Sequence, residues 1–140
     1  MERTRRCELL ARLPDPELAR LVTLVVDEGR PGLVVRMEPT VGMVMARAID
    51  GARGEVFNLG EILVTECQVS VGDHEGWSML AGNRPRGAYW AAAIDAALAG
   101  GHAGQDRLDA ELRSLIAVQD DRLQAERDRL ATTIVQFETW

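Results

Sequence analysis

The residues of this 140-residue chain best suited to bond chemistry are few and scattered. Its two histidines, His74 and His102, fall in a turn-forming run and in a glycine-rich loop, and neither has a second ligand at metal-binding spacing. Cys7 and Cys67 form no CxxC or zinc pattern and read as buried free thiols of a cytoplasmic protein. Glu55, Glu61 and Glu66 lie near or on one extended segment. Glu61 and Glu66 have opposite parity, so they face opposite sides and cannot pair as acid and base; they read as polar strand positions. Arg84 and Arg86 stand at the start of a helix. That place suits an anion, although Pro85 removes one backbone donor, and it equally suits a solvated turn that contacts another chain. No nucleophile elbow, P-loop or dinucleotide fingerprint is present. The run Gly100-Gly101-His102-Ala103-Gly104 follows a helix instead of linking a strand to one, so it reads as a linker. The expectation is therefore no catalytic, cofactor-binding or metal-binding residue in this chain.

The elements that would position such residues centre on residues 54–98. Residues 61–71 alternate, with Leu63, Thr65, Cys67, Val69 and Val71 on one side and Ile62, Val64, Glu66, Gln68 and Ser70 on the other, as in a strand with one face on a core. Residues 72–76 (Gly-Asp-His-Glu-Gly) supply a turn, and residues 77–80 begin the return strand of an antiparallel hairpin. Trp77 and Ala92 are placed in the core. Pro85 suits the first turn of a helix over residues 89–98, whose five alanines allow close packing on a sheet, and Gly100-Gly101 ends it.

Toward the N-terminus, residues 3–13 form a helix with Cys7, Leu10 and Ala11 at helical spacing. Asp15 caps a second helix with Pro16 at its first position, and Leu18, Leu21, Val22 and Val25 make its stripe. Residues 33–37 and 41–49 read as two strands interrupted at Pro39-Thr40, giving about four strands in an antiparallel meander. Residues 105–130 form C-terminal helices, with a break at 118–120 and Asp120 capping the second. Residues 133–140 resemble a short tail strand. The expected class is α+β in one domain, residues 1–140. Of the residues, 46% are hydrophobic, enough for one core. No apolar run approaches the roughly 20 residues that span a bilayer, and no apolar stretch follows the charged start to suggest a signal peptide. With a net charge of −6 and no basic stripe, nucleic acid is not an expected partner.

The pattern Gly54-Glu55-x-Phe57-x-x-Gly60-Glu61, then Thr65, Val69 and Asp73, then Gly76-Trp77-Ser78, Gly82, Ala88, Ala92 and Ile94-Asp95-Ala96 resembles the PhnG family, small subunits of the bacterial carbon–phosphorus lyase machinery. Leu10-Ala11 and Thr133-x-Val135-x-Phe137-x-Thr139 extend the resemblance over nearly the whole chain. Asn83-Arg84, Tyr89, Ile134, Gln136 and Glu138 depart from the family pattern and mark a divergent member. The resemblance implies a non-catalytic subunit that joins PhnI-, PhnH- and PhnJ-like chains in a two-fold hetero-oligomer. With PhnI-, PhnH- and PhnL-like partners it would support formation of ribose 1-phosphonate 5-triphosphate from ATP and an alkylphosphonate. The ATP is used by the assembly, and the chemistry is expected in a PhnI-like chain. Arg84, Arg86, Tyr89, Phe137 and Trp140 are the candidate partner-contact residues. The competing reading is a free-standing homodimeric module.

Overall fold

The computed structural model describes residues 2–26, 32–101 and 105–131. Two helices, α1 (Arg3–Arg12) and α2 (Asp15–Val26), precede three strands, β1 (Leu33–Ile49), β2 (Val56–Val71) and β3 (His74–Ala81). Helices α3 (Pro85–Ala99) and α4 (Gln105–Ala131) follow. The strands pair antiparallel in the order β1-β2-β3, so the class is α+β. The expected tail strand lies outside the described residues.

Helix α3 is the centre of the packing. Every residue from Ala91 to Leu98 is buried, including one acid, Asp95. A helix apolar all round must be covered all round, and α3 lies between the sheet on one side and α1, α2 and α4 on the other. Small side chains make the sheet contact close. A Cβ placed on Gly76 of β3 would stand 2.0 Å from the carbonyl oxygen of Ala92 and 2.4 Å from the nitrogen of Ala96. The missing side chain lets the α3 backbone rest on the strand. Leu9, Leu10, Leu13, Leu18, Leu21, Leu108 and Leu112 close the other side of the core.

The central hairpin turns more tightly than residues 72–76 suggest. Val71 pairs with His74, so Gly72 and Asp73 alone make the turn. Gly72 has φ +58° and Asp73 does not have a positive φ, the pattern of a type II′ hairpin, in which glycine takes the first central position. His74 is thus the first residue of β3.

Several expectations change. The two strands separated at Pro39-Thr40 are one 17-residue strand, β1. Proline is tolerated because β1 is an edge strand, and register shifts on both sides of Met37 absorb the misfit. Trp77 is only half-buried. It pairs with Gln68 on the sheet face away from α3, and its indole N–H donates to Glu66 Oε1 at 2.6 Å; its neighbours Gly76 and Ser78 face the core instead. The start of α2 is closed by the carbonyl of Pro14, which accepts from Glu17 N at 3.0 Å and Leu18 N at 3.2 Å, while Asp15 turns its carboxylate to Arg84. No break occurs at residues 118–120: α4 is one 27-residue helix, packed through Leu108, Leu112 and Ile116, with residues 121–131 exposed.

Candidate partner interface

Strand β2 is twice as long as β3, and that mismatch makes the surface feature of this chain. β3 pairs with β2 only between Val64 and Val71. Beyond that point β2 keeps pairing with β1 alone, out to Ile49 opposite Val56. Residues 41–49 and 56–63 therefore form a two-stranded arm that neither β3 nor a helix covers. At about 3.3 Å per residue it extends about 27 Å. Its tip is closed by Asp50, whose backbone N–H donates to Glu55 O at 2.9 Å and whose side chain accepts from Ala52 N at 2.9 Å.

Residues opposite one another in antiparallel strands share a face. Val41, Met43, Met45 and Ile49, with Leu63 and Val56, continue the face that α3 covers further down the sheet; Val44, Phe57 and Ile62 stand on the reverse face. Leu59 is the extra residue where the register shifts between Ala46 and Arg47. All ten are exposed, Met43 to 63%, Leu59 to 67% and Ile49 to 70%. Scattered exposed apolar residues are ordinary, but a contiguous set of this size marks an interaction surface. The inward side of residues 61–71 is buried only from Thr65 onward, with Thr65, Cys67 and Val69 buried and Leu63 open, and on the side expected to be exposed Val64 and Ser70 are buried as well.

The residues first suspected of chemistry do other work. Arg84 is a bolt between the two ends of the helical layer. Its Nε donates to Asp15 Oδ1 at 2.7 Å, a terminal nitrogen donates to Leu13 O at 2.7 Å, and its backbone N–H donates to Thr65 Oγ1 at 2.8 Å. Arg86 is exposed and Tyr89 is half-buried against the core. Phe137, Trp140 and His102 lie outside the described residues. Glu61 is exposed on the arm, and Glu66 is occupied by Trp77.

One constellation escaped the sequence reading. Asp95 is fully buried; its Oδ1 accepts from Arg6 Nε at 2.6 Å, and its Oδ2 accepts from Arg3 Nε at 3.3 Å and from Trp77 N at 3.1 Å. It ties α1 and β3 to α3 and satisfies an N–H of the β3 edge. The signal was a single acid inside an alanine-rich helix, which burial obliges to find a cation. Beside it, burial and then the Asp95 charge push the half-buried Cys7 thiol up. Burial, with Glu38 nearby, pushes Cys67 from its ordinary 9.0 to about 11. Both thiols are thus poor nucleophiles near neutral pH. Among the described residues no three His, Cys, Asp or Glu side chains gather where they could hold a metal ion, and no helix is long and apolar enough to cross a membrane.

A family model described as phosphonate metabolism protein PhnG matches this chain over residues 1–140. No curated protein matches it.

Proposed function

The chain belongs to the PhnG family of phosphonate metabolism proteins, and from that premise we propose that it is a non-catalytic subunit of a carbon–phosphorus lyase core complex. In this reading it joins PhnI-, PhnH- and PhnJ-like chains in the cytoplasm in a two-fold assembly. With PhnI-, PhnH- and PhnL-like partners it supports displacement of adenine from ATP by an alkylphosphonate, giving ribose 1-phosphonate 5-triphosphate. The reacting groups belong to a partner.

The observation that carries the reading is the arm. Ten large apolar side chains stand in water on a ribbon that nothing in the described chain covers. An isolated two-stranded ribbon is marginally stable, so the arm is best explained as half of an interface. Arg86 and Tyr89 at the start of α3, and Phe137 and Trp140 of the tail, are proposed as additional contacts. The test is co-expression with a PhnI-like chain from the same source, followed by size-exclusion chromatography and a nucleotide–phosphonate assay. Co-elution, with activity that needs both chains, is the expected result. A PhnI-like chain that is fully active alone, beside a monomer of this one, would overturn it. A stable homodimer with no affinity for such a chain would favour the free-standing module.

A further inference from the structure

We propose that the arm is an insertion element, entering an apolar cleft of a heterologous protein that covers both of its faces along about 27 Å. This rests on the subunit reading above and specifies how that subunit is held. The ten exposed side chains present on the order of 900 Å² of apolar surface, close to the ~800 Å² that each partner contributes to a standard interface. Docking through one face would leave the exposed apolar side chains of the other in water. Met43, Met45 and Leu63 stand on one face and Val44, Phe57 and Ile62 on the other, so an occupant that satisfies the area must reach around the ribbon.

Among its described residues, a second copy of this chain does not offer such a site. Its open clefts beside Trp77 have volumes of about 430 and 500 Å³, too small for a ribbon bearing ten large side chains. Pairing two arms edge to edge would leave both faces of each in water. The partner is therefore a different protein, and its cleft must match the charges of the arm. The shaft of the arm carries two charges on one face, Glu61 opposite Met45 and, two residues along β1, Arg47 opposite Asn58. A carboxylate taken into an apolar cleft needs a cation, and Arg47, its diagonal neighbour on the same face, brings one with the arm. The other charges of the arm, Asp50, Arg53 and Glu55, collect at the tip, which reaches a polar rim.

The test places one thiol on each face, Met43→Cys and Ile62→Cys in separate chains. Both positions are exposed, so neither change touches the core. Alkylation by iodoacetamide is mapped by peptide mass spectrometry, with Cys7 and Cys67 read separately, in the free chain and in complex with the PhnI-like chain. Both new thiols should react readily when free and at least ten-fold more slowly in the complex. Protection of only one, in a complex that forms, would overturn insertion in favour of docking on a flat surface. Protection of neither would remove the arm from the interface while leaving the subunit reading intact. Thiols already protected in the free chain would mean that a second copy, or another segment of this chain, covers the arm, and the proposal would fall. Absence of any complex would instead remove the subunit reading itself.

Discussion

Asp95 shows what a single buried charge demands. It is fully buried, and Arg6 beside it is 5% exposed. Breaking a pair of this kind leaves an uncompensated charge in the interior and typically costs about 3–5 kcal/mol. Asp95→Asn should lower the melting temperature markedly, whereas Asp95→Leu with Arg6→Met should recover only part of the loss, since Trp77 N and Arg3 still lose their acceptor; urea titration of the three chains measures it. Gly76 makes a different demand, for space. Its missing Cβ is replaced by the backbone of α3, which cannot move aside as a flexible side chain can. Gly76→Ala should therefore cost at least the upper part of the ~1–3 kcal/mol typical of overpacking, read by the same titration. Trp77→Ala, on the open side of the same strand, should cost less. At Cys67 burial stabilises the neutral thiol, so its pKa is raised, to about 11. A raised folded-state pKa means that its contribution is complete below pH 9 and is lost as pH climbs toward 11. Cys67→Ala should flatten the decline in stability over that window, as followed by thermal melts at stepped pH.

At the scale of elements, the contrast between covered and uncovered lengths is what matters. Within α4, Leu112 is fully buried and Leu123 is 44% exposed, one on the body and one on the projecting turns. Leu112→Ala should cost about 2–5 kcal/mol and Leu123→Ala within about 0.5 kcal/mol, which chemical denaturation separates readily. β1 shows the same division. Its proximal half carries Arg36, Glu38, Pro39 and two of the three register shifts, devices that discourage pairing at an edge. Residues 41–46 carry no charge and no proline. A double change, Met43→Lys with Met45→Lys, should leave the melting temperature nearly unchanged, because both side chains are in water, and should abolish co-elution with the PhnI-like chain.

For the whole molecule, three layers divide the labour. The helices α1, α2 and α4 and the proximal sheet enclose α3, and the arm leaves that body with its large apolar side chains exposed. The chain has a net charge of −6, which favours solubility of the free protein, while the arm favours association. The two tendencies suit a subunit made soluble and then captured. Since the proposed contact is apolar, its complex should persist as sodium chloride is raised from 0.1 to ~1 M, a range over which exposed ion pairs are screened; chromatography at the two salt concentrations would show it.

What local chemistry governs was legible in the sequence. The spacing of Leu18, Leu21 and Val22 announced α2, the alanine run between Pro85 and Gly100 announced α3, and glycine at position 72 announced the hairpin. Each of those signals acts within a few residues. The parity of Trp77 was also legible, but parity says only that neighbours face opposite sides; it took the seating of α3 at Gly76 to decide which side was the interior. Pro39 looked like an end to a strand because its tolerance depends on lying at a sheet edge, and strand order is not written in any one segment. Asn83-Arg84 looked like a surface turn until Asp15 and Leu13, some 70 residues earlier, came within hydrogen-bond reach. The arm was hidden for the same reason. An alternating stretch shows that a face exists to be buried, and only the pairing of a long β2 with a short β3 reveals that this chain does not bury it.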